Sequence, residues 1–420
     1  MVSSRAATLT ALRARIASLG GATATPRARP ASLDLSGRAA ELGFEVETGA
    51  AGTTFVRRST VDLSPFFEAA GLAGAPPVAD LLALFDHPCE PDPPVWLNGE
   101  GVGVLDIESL GLRGSGVMAF LVAMGIQRGA VLECEQLLLA DPGEEGALLG
   151  AVAQSIAAHR LWLTYNGRSF DIPVLAARCT LNRLDASCVQ PRLHGDILAP
   201  VRRLFRDRLG ACTLRHAEMS LLNHHRVDDV PGIEAPGRYR AWLHGAGPAV
   251  LSGVIEHNLQ DIVSTVAVAA RLAAHVGGER VRPAHAADAY HLARHYERQG
   301  VADAAEVELR ASVAAGIDPW ARRAGHRLAV ALQRRGAMDE ALETWRRLHL
   351  EDPHDLRAAR GCAIRLERRG DIGAALQVCE RVRRARADWE PWWERVRGGG
   401  AAGDDEWRRR EARLRRRFHP

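Results

Sequence analysis

An apolar run that breaks into carboxylates, Val102-Gly-Val-Leu-Asp-Ile-Glu, constrains the fold of this chain more than any other feature. Its composition predicts a buried strand. The pattern continues with strands over Met118–Gly125 and Glu133–Leu139, a helix over 144–159, a strand over Leu161–Thr164 and a helix from Ile172. Strands followed by alternating strand–helix units predict an α/β sheet flanked by helices.

Beyond about residue 277 the pattern is purely helical and repetitive. Three glycines, 36 and 34 residues apart, are each followed five residues later by an alanine: Gly300 with Ala305, Gly336 with Ala341, and Gly370 with Ala375. Asp318-Pro319 and Asp352-Pro353 also repeat at 34 residues. A period of about 34 residues is typical of tetratricopeptide repeats. We therefore predict an all-α helical repeat domain after the α/β domain.

These patterns divide the chain into five segments. The first holds a short amphipathic helix (8–19) and a Gly/Pro/Ala-rich linker (20–33), and the second contains a β-hairpin around residues 49–52. The predicted bounds are 1–35 for the helix and linker, 36–96 for a small β-containing extension, 97–276 for the α/β domain, 277–397 for the repeats and 398–420 for a basic tail.

Composition adds constraints on location and partners. All 54 basic residues are arginine, and the net charge is +3. Residues 381–420 hold 13 arginines against 7 acids, so the tail either binds nucleic acid or an acidic partner or forms a solvated terminal helix. The seven cysteines are scattered and the N-terminus lacks a long apolar run, which predicts a reduced, cytoplasmic setting without a membrane span.

Four carboxylates stand in unusual positions. Asp106 and Glu108 are two residues apart on the apolar strand, so both lie on one face. Close like charges at a buried sheet are costly unless a cation neutralises them, although a solvated strand end would also explain the pair. Asp171 follows the Leu161–Thr164 strand, where it could be a helix N-cap. His257 and Asp261 share a helix face, as an ordinary surface pair would.

Taken together, these residues resemble the three exonuclease motifs of the DEDD (DnaQ-like) superfamily, most closely its YprB-type ribonuclease H-like branch. The motifs are Asp-x-Glu on a strand, an Asn…Phe-Asp strand–helix junction, and a helix with His-x-x-x-Asp. Further segments that carry the resemblance are Gly111-Leu-Arg-Gly-Ser-Gly, Phe120-Leu-Val-Ala-Met-Gly, His194-Gly-Asp-Ile-Leu, Arg202-Arg-Leu-Phe and Asp229-Val-Pro-Gly. The resemblance covers about residues 97–276 and implies a ribonuclease H-like mixed sheet flanked by helices.

The resemblance implies a metal-dependent 3′→5′ exonuclease acting on RNA or DNA. Asp106, Glu108, Asp171 and Asp261 would hold two Mg²⁺ or Mn²⁺ ions about 3.5–4 Å apart, and His257 would act as general base or orient the attacking water. In the His-type branch of the family the histidine precedes the last aspartate by five positions, whereas here it precedes it by four. That departure puts the role of His257 in doubt more than the metal ligands.

Candidate nucleic-acid contacts lie in two segments. Asn166 could position a phosphate or fix the turn before Gly167, and Arg168 lies in the same segment. Three arginines, Arg202, Arg203 and Arg206, form one face of a predicted helix, which could contact phosphates or simply be solvated. Asp196 matches an auxiliary family aspartate, and we expect it to cap a strand end rather than bind metal.

Two histidine-containing segments resemble metal-binding motifs, but neither is predicted to bind a metal. His291 and His295 are four apart on a helix, but Leu292 stands where a zinc protease would have its glutamate. Asn223-His-His-Arg has no carboxylate predicted around it.

Three functions remain open from the sequence. Besides the exonuclease, the chain could be a catalytically weak nucleic-acid-binding scaffold that recruits protein partners through its repeats, or an enzyme of the same fold that cuts internally or at flaps. Retention of all four acidic positions favours an enzyme over the scaffold. The expected substrate is single-stranded nucleic acid or a 3′ end.

Overall fold

A computed structural model describes residues 34–49, 51–85, 101–111, 116–227, 229–278, 285–316, 318–389 and 402–418. The predicted helix over 8–19, the linker over 20–33 and most of the glycine-rich segment 111–116 lie outside the described residues. The same holds for Cys89.

A seven-stranded mixed sheet forms the centre of the molecule, in the order β1-β2-β5-β4-β3-β6-β7. β3 pairs in antiparallel fashion with β4 and in parallel with β6, and β6 pairs in parallel with β7. The strands are β1 (Glu45–Gly49), β2 (Gly52–Asp62), β3 (Val102–Leu110), β4 (Met118–Arg128), β5 (Val131–Leu138), β6 (Leu161–Thr164) and β7 (Leu193–Asp196). The predicted mixed sheet flanked by helices is confirmed.

The hairpin of β1 and β2 extends this sheet, because β2 pairs with β5 along eight residues from Phe55 to Asp62. Leu63, Phe67 and Leu84 of the same segment are buried in the core that also contains Val104. The described part of the predicted 36–96 extension, residues 36–49 and 51–85, therefore shares one sheet and one core with the α/β domain.

Nine helices in the described part of this domain cover the sheet. They are α1 (Leu35–Ala40), α2 (Ser64–Ala69), α3 (Val78–Ala83), α4 (Glu145–Ala158), α5 (Asp171–Leu181), α6 (Leu198–Leu209), α7 (Leu214–Ala217), α8 (Ala235–Leu243) and α9 (Ala249–Val276). The 28-residue α9 is apolar and long enough to cross a membrane by length and composition, but 78% of its most apolar window is buried inside the protein. It is the core helix that crosses β3, β4 and β6.

After residue 278 the described residues contain seven further helices, and each of them packs on the next. They are α10 (Ala286–Arg298), α11 (Ala302–Ala314), α12 (Pro319–Arg335), α13 (Met338–Glu351), α14 (Leu356–Arg369), α15 (Ile372–Trp389) and α16 (Ala402–Phe418). Each of the three repeating glycines has a left-handed backbone, and each of the three repeating alanines is buried. An all-helical C-terminal region consistent with repeats is thus confirmed.

The two Asp-Pro pairs occupy different positions relative to the helices that follow them. Asp318 caps α12 by accepting hydrogen bonds from the backbone N–H groups of Trp320 and Ala321, but Asp352 does not cap α14. The residue that caps α14 is Asp355. The 34-residue spacing of the two Asp-Pro pairs does not reflect equivalent positions, because α12 has 17 residues and α14 has 14.

The basic segment at the C-terminus is α16, which packs on α15. Trp407 and Leu414 are buried in the core of the helical array. Arg410 and Arg413 both pair with Glu367 of α14, at 2.7 and 2.5 Å. The predicted solvated terminal helix is therefore solvated on one face only. Its other face packs on the last helices of the array.

An ion pair and a histidine–aspartate contact join the array to the α/β domain. Arg208 of α6 lies 2.6 Å from Asp288 of α10, and His291 of α10 lies 2.6 Å from Asp207. His291 therefore binds an aspartate of the neighbouring domain, and His295 is fully buried. Neither histidine is arranged as in a zinc protease.

Candidate active site

Asp106 and Glu108 project from within β3, which continues to Leu110. The register of β3 against β4 shifts between Glu108 and Ser109, an irregularity of the kind that re-aims side chains beside functional sites. Only 12% of the Glu108 side chain is exposed. The alternative of a solvated strand end is wrong, since the strand extends past both carboxylates.

Asp171 joins them from the next strand–helix junction. It is the first residue of α5, while Phe170 occupies the N-cap position. Its Oδ1 accepts a hydrogen bond of 3.1 Å from the backbone N–H of Ile107, the residue between Asp106 and Glu108. The carboxylate is thus held against β3 across the sheet, and the N-cap alternative is wrong.

Helix α9 carries the remaining groups over the sheet. The fully buried Asn258 donates a hydrogen bond of 2.8 Å from Nδ2 to Asp106 Oδ2. Its own Oδ1 accepts from Gln136 Nε2 of β5 at 3.3 Å. Sequence reasoning missed Asn258, although it stands directly beside His257, because only the crossing of α9 over β3 shows which side chains point inward.

Burial and like charge act together on the four carboxylates. Burial raises the pKa of Asp106 well above its ordinary range, and Asp261, Asp171 and Glu108 raise it further. Burial also raises the pKa of Glu108 to about 7 and the pKa of Asp171 to about 7. The pKa of Asp261 is raised by burial, although Arg226 opposes the shift. Such perturbed carboxyls are a common sign of a functional site.

His257 lies between these carboxylates and a further one. Its Nε2 is 3.8 Å from Glu108 Oε1 and 3.7 Å from Asp261 Oδ2, and its Nδ1 is 2.5 Å from Asp229 Oδ1. Although burial disfavours the imidazolium, Asp261, Asp229 and Glu108 raise the pKa of His257 above its usual value. With side chains 15% and 19% exposed, His257 and Asp261 are not a solvated surface pair.

Arg226 is the main charged group that sequence reasoning missed. Its guanidinium lies 2.6 Å from Asp261 Oδ1 and donates from Nε to both oxygens of Glu218 at 3.0 and 2.9 Å. Its Nη1 is 3.5 Å from Asp229 Oδ2. The prediction that no carboxylate surrounds Asn223-His-His-Arg is therefore wrong. The three acids come from a π-turn, a loop and α9, which no regular sequence spacing connects.

Asn166 and Arg168 lie in the turn between β6 and α5. Asn166 has a left-handed backbone with φ 70°, and the backbone N–H groups of Asn166 and Arg168 donate to the two oxygens of Asp196 at 2.9 and 3.1 Å. Asp196 thereby fixes this turn, as expected of an auxiliary rather than a metal-binding aspartate. The side chains of Asn166 and Arg168 are exposed, and their role in nucleic-acid binding stays a prediction.

The three arginines of α6 do not form one uniform face. Arg202 and Arg206 are exposed, whereas Arg203 is half-buried and donates a hydrogen bond to the backbone carbonyl of Leu84. Arg203 therefore helps to hold the end of α3 against α6. Arg202 and Arg206 therefore have side chains that solvent can reach, and their predicted contact with phosphate stays a prediction.

The chemistry of the cluster suits a divalent cation. Asp106, Glu108, Asp171 and Asp261 offer oxygen ligands, which Mg²⁺ and Mn²⁺ prefer. Burial is the main cause of their raised pKa values, neighbouring acids add to it, and a cation would offset both effects. Among the described residues, no three His, Cys, Asp or Glu side chains are already arranged to hold a metal ion. The donor set fits such ions by its chemistry, and the guanidinium of Arg226 occupies one oxygen of Asp261.

Residues 104–273 match the family model of the RNase H superfamily. This segment contains the four carboxylates, Asn258 and His257, and it is an RNase H superfamily domain.

The chain is also similar to YprB, an uncharacterized protein of Bacillus subtilis (strain 168). The two sequences are 27% identical over 252 residues, which cover 60% of this chain and 60% of YprB. A family B DNA polymerase from the archaeon Pyrobaculum calidifontis aligns with 48% of this chain and 29% of its own, at 14% identity and a TM-score of 0.32. A TM-score of that size supports no conclusion about fold or function.

Proposed function

We propose that this protein is a metal-dependent nuclease, and more specifically a 3′→5′ exonuclease that hydrolyses phosphodiester bonds of RNA or DNA. One observation carries the proposal. Four carboxylates from β3, α5 and α9 converge with raised pKa values inside an RNase H superfamily domain, next to a histidine whose Nε2 points at them.

In this proposal Asp106, Glu108, Asp171 and Asp261 hold two Mg²⁺ or Mn²⁺ ions. Bound there, such ions supply Lewis-acid stabilisation of the charge that develops during in-line displacement at phosphorus. Asn258 keeps the Asp106 carboxylate oriented through its hydrogen bond of 2.8 Å. His257 accepts the proton of the attacking water at Nε2, the nitrogen that faces Glu108 and Asp261.

The exposed arginines would hold the strand. Arg168, Arg202 and Arg206 have exposed side chains, and arginine binds phosphate groups through its planar donors. Asn166 would position the scissile phosphate or act only through its turn. We further propose that the C-terminal helices are tetratricopeptide-like repeats that dock a protein partner or help to hold a strand, in the cytoplasm.

One observation favours the second candidate, a catalytically weak nucleic-acid-binding scaffold. Arg226 already neutralises Asp261 at 2.6 Å, so this carboxylate depends less on a metal ion than its neighbours do. A scaffold would bind nucleic acid through the same arginines without cleaving it.

Cleavage of end-labelled substrates tests the proposal. Purified protein is incubated with 3′- or 5′-labelled single-stranded RNA and DNA in Mn²⁺, Mg²⁺ or EDTA, beside the Asp106→Asn and Asp171→Asn variants. We expect metal-dependent shortening from the 3′ end, with a loss of at least about 100-fold in each variant, because each removes a charged oxygen ligand. Glu256→Gln, an exposed acid on α9, is the matched control and should cleave normally.

Other outcomes separate the alternatives. Internal cuts that depend on metal would keep the site and overturn the 3′→5′ direction. Binding of labelled strands without cleavage in any metal would overturn the enzyme and support the scaffold.

A further inference from the structure

His257 stands one residue closer to the last aspartate than in the His-type exonuclease motif, four positions before Asp261 rather than five. On a helix, one residue changes direction by about 100°. His257 therefore leaves α9 in a different direction from a histidine at the five-residue spacing, and the loop that follows the π-turn Glu218–Leu222 places a carboxyl group against its ring.

Asp229 is that group. Its Oδ1 lies 2.5 Å from His257 Nδ1. Nδ1 also lies 3.4 Å from Arg226 Nη1, which can only donate. The contact to Asp229 is much the shorter of the two, and a carboxylate accepts hydrogen bonds, so the proton of the neutral imidazole is on Nδ1 and the lone pair is on Nε2. Nε2 is the nitrogen that lies 3.8 Å from Glu108 and 3.7 Å from Asp261. Asp229 thus selects the Nδ1–H tautomer, in which Nε2 can accept a proton from a water molecule at the carboxylates.

Arg226 holds Asp229 in turn. Its Nη1 lies 3.5 Å from Asp229 Oδ2, and the guanidinium is bound by Glu218 and is only 5% exposed. The same guanidinium lies 2.6 Å from Asp261 Oδ1. A rigid charged group therefore spans the orienting aspartate and the last aspartate of the cluster.

We propose that Asp229 is a positioning residue for His257, braced by Arg226, and that this pair compensates for the four-residue spacing. The inference rests on the proposed nuclease function, since the orientation of His257 matters to the reaction only if His257 handles a proton there. Asp229 itself acts through the imidazole and does not contact the substrate.

A double-mutant cycle tests this role. We expect Asp229→Ala and His257→Ala each to lower kcat about 100-fold, the usual contribution of a general base, while KM for the oligonucleotide and the midpoint of Mn²⁺ activation change less than about twofold. The double variant should be no slower than His257→Ala alone, because residues that act as a unit are not additive. Losses that multiply in the double variant would overturn the proposal.

A second readout does not depend on cleavage. In full-length, metal-free protein labelled with ¹⁵N-histidine, at a pH where His257 is neutral, we expect one Nδ1–H tautomer for His257, assigned by its absence in His257→Gln. Asp229→Ala should give a mixture of tautomers, and Asp229→Asn, which keeps an acceptor oxygen, should retain the Nδ1–H form and most of the activity. An unchanged tautomer in Asp229→Ala would contradict the inference even if the enzyme were slower.

The controls separate this inference from the proposed function. Glu234→Ala removes an exposed ion pair with Arg238 in the neighbouring segment and should change neither readout. If Asp229→Ala does not fold, Asp229→Leu, which keeps most of the volume but offers no acceptor, carries the test: loss of the single Nδ1–H form supports the proposal, and its retention overturns it. If the unaltered protein cleaves nothing, the proposed function fails, and the tautomer of His257 in the wild type and in Asp229→Ala still decides whether Asp229 orients it.

Discussion

At the scale of single residues, the candidate site contains more buried acidic groups than basic ones. The carboxylates of Asp106, Glu108, Asp171 and Asp261 share it with one guanidinium and one imidazole. Taking a carboxylate out of water is costly unless a cation or hydrogen-bond donors compensate. The metal-free protein therefore stores electrostatic repulsion at this place, which makes its stability depend on pH.

The sign of that dependence follows from the raised pKa of Glu108. A carboxyl whose pKa is higher in the folded than in the unfolded protein binds more protons in the folded state, so the free energy of unfolding falls as pH rises between the two values. For Glu108 this window runs from 4.5 to about 7. His257, whose pKa is also raised, shifts the balance in the same direction at higher pH, since its stabilising charge is lost as pH rises.

Glu108→Gln should remove its share of this pH dependence. In EDTA we expect the variant and the wild type to have similar Tm at pH 4.5, and the variant to be more stable at pH 7.5 by on the order of 1–3 kcal/mol, since one pKa unit corresponds to about 1.4 kcal/mol. Thermal unfolding at several pH values measures the difference. A constant difference across pH, or a less stable variant at pH 7.5, would contradict a raised pKa of Glu108 in the folded protein.

At the scale of elements, the position of the site depends on the close approach of β3 and β6. Gly103 of β3 pairs in register with Trp162 of β6, and a Cβ at Gly103 would lie 2.5 Å from the indole ring. Trp162 is fully buried, so the ring cannot move aside into solvent. A side chain at Gly103 would push apart the two strands that bring Asp106 and Asp171 together.

Gly103→Ala should consequently destabilise the protein by roughly 1–3 kcal/mol, the usual cost of overpacking a core. Gly150→Ala is the matched control, because Gly150 lies inside α4 with no atom within 4 Å of its added Cβ. That control should be neutral or more stable by about 0.5–1 kcal/mol, since alanine favours helices. Chemical unfolding of both variants measures the effect, and equal stabilities would exclude the steric explanation.

The regular elements of the sheet could be predicted from the sequence because each has its own hydrophobic pattern. The strand with Asp106 and Glu108 and the long helix with His257 and Asp261 are of this kind. The sequence could not predict the roles of Arg226, Asp229 and Asn258. Their partners come from an irregular loop, a π-turn and a helix crossing, none of which has a sequence period. The nearest signal is the Asp229-Val-Pro-Gly segment, which belongs to the family resemblance but does not specify a contact.

At the scale of the whole molecule, one end of the helical array contacts the sheet domain, and α16 covers the other end of the array. Arg208 and Asp288 form an ion pair at the junction. At the far end α16 covers the core of the array with Trp407 and Leu414. Terminal elements of repeat arrays need such a cover because the last repeat would otherwise expose its apolar face.

Removal of a core contact of α16 should therefore weaken the array. We expect Leu414→Ala to destabilise the protein by about 2–5 kcal/mol, the typical cost of truncating a buried leucine, whereas Arg416→Ala, an exposed position on the same helix, should have little effect. Proteolysis of the C-terminal region under native conditions would report the same change. Equal protease resistance of the two variants would show that α16 is not a structural cap.

A count of bound Mn²⁺ shows whether the buried carboxylates form the proposed divalent-metal centre. Full-length protein is titrated with Mn²⁺, and free Mn²⁺ is followed by electron paramagnetic resonance, beside Asp106→Asn and the Glu256→Gln control. We expect the wild type and the control to bind about two ions saturably, and Asp106→Asn to bind at least one ion fewer. Binding that is the same in all three proteins, or the absence of saturable binding, would contradict it.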